Sequence, residues 1–194
     1  MLPAVLFLGC LAAVSAQCSG VAYTSVPPTT TTTVYQANGL TLGAPFTLST
    51  ARQITGVRFF LGASFPPLTL TIGLYLNTNQ ATPLIQEFPV VVSAPVGGGF
   101  VSLYFTTPLN LAVGTAYTAA VFQPPQPNGN VYYPSAGVPT TNPTTCGALL
   151  TTGTFSAAAP TQLKYPSATA QNYSLEPIFS AQPVVVVLGG GGTE

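Results

Sequence analysis

A proline or glycine interrupts this chain every few residues: twenty prolines and nineteen glycines are spread through 194 positions. Proline removes a backbone donor and clashes with the preceding helical turn, and glycine gives up backbone entropy that a helix cannot easily recover. The runs left between them are short and rich in Val, Thr, Leu, Tyr and Phe, residues that suit a pleated surface. A chain punctuated in this way builds strands and turns, not long helices.

The clearest run is Leu68-Thr69-Leu70-Thr71-Ile72-Gly73-Leu74-Tyr75-Leu76. Its five aliphatic residues alternate strictly with Thr69, Thr71, Gly73 and Tyr75, which predicts a half-buried strand closed by a turn at Asn77-Thr78-Asn79-Gln80. Phe100 to Phe105 alternates as well and points Val101, Leu103 and Phe105 inward, with a loop at Gly97-Gly98-Gly99 before it. Further strands are expected at Leu40–Leu48, Gln53–Leu61, Leu84–Val92, Ala116–Phe122, Gly147–Thr152 and Ser174–Ser180. Short strands at about ten-residue spacing, with Pro and Gly at their boundaries, predict an all-β fold: an antiparallel two-sheet β-sandwich of jelly-roll or Ig-like type with about eight or nine strands. The threonine run after Pro27-Pro28, from Thr29 to Thr33, is of low complexity and reads as a surface segment.

Residues 1–16 read as a signal peptide. The apolar stretch from Ala4 to Ala13 is followed by Val14-Ser15-Ala16, with small or apolar residues at the positions a signal peptidase requires. The stretch is well short of the roughly 20 residues that a spanning helix needs. The expected domain is residues 17–182, and residues 183–194 form a Val/Gly-rich tail that reads as an added edge strand or a linker. Cleavage after Ala16 removes Cys10 and leaves Cys18 and Cys146, an even pair that in an oxidising compartment is expected to form one disulfide. Asn172-Tyr173-Ser174 is the single expected glycosylation site, since Pro143 blocks Asn142-Pro143-Thr144. Secretion to the exterior or the cell surface is the expected localisation.

Composition removes whole classes of chemistry. The chain has no His and no Asp; its three acids are Glu87, Glu176 and Glu194, and its charged fraction is 3%. A Ser/His/Asp triad, a His-ligated metal and an Asp-rich calcium loop cannot be assembled from it, and neither a metal nor a cofactor is expected. Three cations balanced by three anions provide no electrostatic footprint for nucleic acid. Glycoside hydrolysis would require Glu87 and Glu176 to face each other across a cleft about 5–10 Å wide. Each instead lies beside a proline within a strand pattern, which reads as an edge or solvent-facing position. No enzymatic activity is expected. Arg58, between Val57 and Phe59-Phe60, is read as a partner for a glutamate, Glu176 or Glu87, or for loop carbonyls.

The stretches Leu42-Gly43-Ala44-Pro45-Phe46, Ile54-Thr55-Gly56-Val57-Arg58-Phe59-Phe60 and Ile72-Gly73-Leu74-Tyr75 follow one another at strand spacing. Val101 to Leu109, then Val113-Gly114-Thr115-Ala116-Tyr117, and the turn Pro127-Asn128-Gly129-Asn130 before Tyr132 continue the series. In this order the motifs resemble the extracellular family called domain of unknown function 4082, over roughly residues 40–135. Tyr75 stands where that family commonly has Trp, and Asn130 where it has His. The resemblance implies a β-sandwich module of secreted and cell-surface proteins, often near carbohydrate-active or adhesive domains. It brings no catalytic residues with it.

Asn128, Asn130, Tyr132 and Tyr133 form the candidate ligand surface: two amides and two aromatic rings within six residues, outside the alternating core pattern. Sugars present apolar C–H faces that stack on rings and hydroxyls that hydrogen-bond to amides. A tyrosine that plugs the end of the sandwich is the structural alternative at the same positions. Two functions stay open. One is a non-catalytic module for neutral glycan or extracellular glycoprotein at a cell surface or matrix. The other is an assembly component of a wall, sheath or filament, favoured by low charge and expressed as self-association.

Overall fold

The computed structural model describes residues 20–21, 30–35, 39–87, 89–135, 148–150, 154–157, 167–168 and 175–180. They contain no helix and fourteen strands: β1 (Gly20–Val21), β2 (Thr30–Tyr35), β3 (Leu40–Leu48), β4 (Arg52–Leu61), β5 (Leu68–Leu76), β6 (Ile85–Gln86), β7 (Val90–Val92), β8 (Gly99–Leu111), β9 (Ala116–Gln123), β10 (Asn130–Ser135), β11 (Ala148–Leu150), β12 (Thr154–Ala157), β13 (Ser167–Ala168) and β14 (Leu175–Phe179). One sheet runs β1-β14-β4-β8. The other runs β13-β12-β3-β9-β5-β6, with β11 also on β3 and β7 on β5, and β10-β2 form a separate ribbon. Every pairing is antiparallel. The protein is an antiparallel two-sheet β-sandwich. The expected cysteine pair Cys18 and Cys146, the sequon at Asn172, residues 1–16 and the tail 183–194 lie outside the described residues.

The core fills the space between the sheets. Leu40, Leu42, Phe46 and Leu48 of β3, Leu68, Leu70, Ile72 and Leu74 of β5, and Ala119 and Val121 of β9 meet Val57, Phe59 and Leu61 of β4, Leu103 and Phe105 of β8, and Leu175 and Phe179 of β14. Phe46 sits at the centre: its ring lies 5.8 Å from Tyr117 in a stacked pair and 5.8 Å edge-on to Phe179 of the opposite sheet. Aromatic pairs in these geometries add to the burial of apolar area that drives the sheets together.

Several sequence expectations need correction. The strands are more numerous than eight or nine, because β1, β6, β7, β11 and β13 span two or three residues each, too few to show a period. The expected strand Leu84–Val92 is two pieces, β6 and β7, on either side of Pro89, which has no N–H for a ladder. Thr30 to Thr33 lie in a strand that was not expected: β2 pairs in register with β10. A run of identical β-branched residues has no alternation to read, so only its partner identifies it.

Strand β5 is not half-buried. Thr71 and Tyr75, on the face away from the core, are as inaccessible as the leucines. Register aligns three rows on that outer face, Thr41–Phe122–Thr71, Gly43–Ala120–Gly73 and Pro45–Thr118–Tyr75. All of these positions are buried. Among the polar ones, Thr118 Oγ1 donates to Asn77 Oδ1 at 2.8 Å.

The four-stranded sheet differs on the side of β8. This strand ends the sheet on the side opposite β1. The ladder with β4 is interrupted between Ile54 and Gly56, whose partners are Leu109 and Tyr104, so Thr55 alone faces Phe105 to Pro108. Pro108 falls inside that bulge, where a missing donor does no harm. The close approach explains Gly56: a Cβ there would collide with the Leu103 carbonyl oxygen and lie 2.9 Å from the Tyr104 Cα.

Candidate functional site

The turn between β9 and β10 is locally determined. Gly129 adopts φ of 77°, a left-handed conformation that glycine accepts without strain. Its N–H donates to the Gln126 carbonyl at 2.7 Å, and the Gln126 N–H donates to the Asn130 carbonyl at 2.9 Å. Asn128 Oδ1 accepts the Asn130 N–H at 3.0 Å, an Asx-type closure. Asn128 is exposed at the tip, and Asn130 is half-buried as the first residue of β10. The Asn128 side-chain NH₂ is thus left for a partner outside the turn.

The tyrosines are not outside the core pattern. They lie on β10 after the fully buried Val131, and both pack half-buried against the core. The Tyr132 ring is 5.3 Å from that of Phe65, and its N–H donates to Gln123 Oε1 at 3.2 Å. Gln123 is itself buried, with Nε2 left without a partner. The turn therefore sets amide groups beside two half-buried rings. The sequence reading of these four residues missed the strand that follows the turn.

The two domain glutamates have separate structural partners. Glu176 is 0% exposed, the opposite of a solvent-facing edge, because β14 is flanked by β1 and β4. It sits opposite Arg58, whose Nε donates to Glu176 Oε2 at 2.8 Å while Nη2 approaches the same oxygen at 2.6 Å. The ion pair anticipated for Arg58 is thus formed, and with Glu176. Glu87 is held at the margin of the sandwich: its N–H donates to the Ile72 carbonyl of one sheet at 3.0 Å. Its carboxylate accepts from Thr106 N at 2.7 Å and Thr106 Oγ1 at 2.8 Å in the other sheet. It ties the β8 bulge to β5.

Arg58 makes a further contact, one that no local pattern signals. Its guanidinium carbon lies 4.2 Å from the centroid of Phe100, which is edge-on to Phe60 at 5.3 Å. Beyond Gly56 on the same face, Tyr104 is 64% exposed. Further exposed apolar residues, Leu84, Val90, Val91 and Val96, lie in the segment that carries β6 and β7 and the turn after it.

Among the described residues no group of three or more His, Cys, Asp or Glu side chains converges as a metal site, and no helix is long and apolar enough to cross a membrane. No family model matches the chain and no curated protein matches it, so the family resemblance rests on the motifs that carry it.

Proposed function

We propose that this chain is a secreted, non-catalytic β-sandwich module that binds neutral carbohydrate or glycoprotein at a cell surface or matrix. The observation that supports it most is the use of both domain carboxylates within the fold: Glu176 meets Arg58, and Glu87 meets Thr106. The β9–β10 turn brings amides and half-buried aromatic rings together without charge, chemistry suited to an uncharged polyol. Asn128 and Asn130 supply hydrogen-bonding groups, and Tyr132 and Tyr133 supply apolar ring surface beside them. Binding of this kind is insensitive to salt, because no charge is neutralised.

The test is a glycan array with the secreted protein, repeated for Asn128→Ala, Tyr132→Ala and Tyr133→Ala after each is checked for an unchanged melting temperature. Selective binding weakened by these variants supports the reading. Folded variants with full affinity move the site elsewhere, and a tyrosine variant that unfolds assigns that ring to the core.

Assembly is the second reading. Val90 and Val91, 49% and 68% exposed, lie on the short marginal strand β7, and an exposed apolar margin is a template for pairing with another chain. Sedimentation velocity across a concentration series separates the two: self-association without glycan selectivity favours assembly.

A further inference from the structure

The open face of the four-stranded sheet carries groups that neither the core nor the turn requires. Register sets three rows across β4 and β8: Phe60 opposite Phe100, Arg58 opposite Ser102, and Gly56 opposite Tyr104. Side chains two residues apart on one strand share a face, so Phe100, Ser102 and Tyr104 form a line in which the two rings stand about 13 Å apart. Phe60 and Phe100 are half-buried at one end, and Ser102 and Tyr104 are exposed. Gly56 is buried against the β8 backbone, so no side chain stands opposite Tyr104. A tyrosine exposed over 64% of its area on the middle of a strand, opposite a residue with no side chain, has ring surface that the fold does not use.

The charge on this face is balanced. The Arg58 guanidinium is fixed by Glu176 on one side and by the Phe100 ring on another, which engages Nε and Nη2. Its remaining nitrogen, Nη1, has no acceptor among the described residues and can donate outward from a rigid position.

We propose that the Phe60–Phe100, Arg58–Ser102 and Tyr104 rows form a platform for a neutral saccharide chain. Tyr104 stacks on the apolar C–H face of one sugar unit, and the Phe60–Phe100 pair bounds the other end. Ser102 and Arg58 Nη1 hydrogen-bond to hydroxyls between them. The occupant follows from the chemistry of the surface. An anionic polymer would find no net positive charge here, because Glu176 already neutralises Arg58. An apolar peptide or lipid would cover Ser102 and Arg58 without pairing them. A polyol with alternating C–H and O–H faces satisfies both kinds of group. The proposal rests on the glycan-binding reading and extends it from the turn to a sheet face.

The experiment is isothermal titration of the secreted full chain with cellohexaose, mannohexaose, xylohexaose and chitohexaose, in parallel with Tyr104→Ala, Tyr104→Phe and Ser102→Ala. Tyr104 and Ser102 are exposed, so their variants fold; unchanged melting temperatures verify this. The platform predicts that one oligosaccharide binds, that Tyr104→Ala weakens it about tenfold and that Tyr104→Phe retains most of the affinity. Ser102→Ala lowers affinity by a smaller factor. Full affinity in Tyr104→Ala, with loss confined to Tyr132→Ala, overturns the platform and leaves the glycan reading in place. A wild-type chain that binds none of the four, nor any glycan on the array, overturns both.

Discussion

The two sheets present very different outer faces. On β3, β9 and β5, the rows containing Thr41, Phe122 and Thr71, or Pro45, Thr118 and Tyr75, are closed to solvent. On β4 and β8, Ser102 and Tyr104 stand in water, and Arg58 retains 20% of its side-chain exposure. Both faces obey the same period of two, so alternation assigns residues to a side without saying whether that side is covered. The difference separates two uses of an aromatic ring. Tyr75 contributes burial to stability, whereas Tyr104 is available to a ligand.

The sharpest way to break this comparison is to truncate one ring on each face. Tyr75→Ala is expected to cost about 4 kcal/mol, since a large buried ring leaves a cavity, and Tyr104→Ala less than about 0.5 kcal/mol. Urea unfolding of both variants checks the pair. Equal losses would mean that the two faces are alike.

Arg58→Met comes next. It leaves the fully buried Glu176 carboxylate without its cation, an effect of about 3 kcal/mol in chemical denaturation. Arg58→Met combined with Glu176→Leu should recover much of that loss, because an apolar pair fills the same space without charge. Failure of the double variant to recover would place the ion pair's role in packing or specificity.

The buried phenol also gives the covered face a pH signature. Burial pushes the Tyr75 pKa from 10.0 up to about 12. Below pH 10 the phenol is protonated in both folded and unfolded chains, and its contribution is constant. Between pH 10 and 12 the unfolded chain releases the proton first, so stability falls as pH rises, by about 2–3 kcal/mol over the window. Urea midpoints measured from pH 9 to 12 should show this slope in the wild type and lose it in Tyr75→Phe.

At the margin between the sheets, Glu87→Gln replaces a carboxylate that accepts from both Thr106 N and Thr106 Oγ1. The expected loss is about 1 kcal/mol or less, because the site is partly solvated. Faster amide exchange at Thr106 and its neighbours in the bulge would accompany it.

The parts of the fold that sequence revealed are those governed by local pattern. The ends of β3 and β5 coincide with the expected Leu40–Leu48 and Leu68–Leu76, because alternation and flanking turn residues act within one strand. Burial of Glu176 could not be read in this way: its partner Arg58 is 118 residues distant, and only the β14–β4 register brings them together. Strand β2 was missed because its threonines carry no parity. The Asn128–Asn130 turn was legible from its Asn-Gly chemistry, but the placement of Tyr132 against Phe65 depends on a ring supplied by a distant loop. The platform on β4 and β8 was illegible for the same reason. Phe60, Arg58, Phe100 and Tyr104 belong to two strands, and their common face exists only once the bulge at Gly56 sets the register.

Tetranitromethane labelling of the native protein, with the modified tyrosines located by mass spectrometry, tests the contrast between the faces most directly. Tyr104, at 64% exposure, should be nitrated early, and Tyr75, at 1%, should stay unmodified until denaturant unfolds the chain. Early nitration of Tyr75 together with protection of Tyr104 would show that the open face is the other one and would contradict the account.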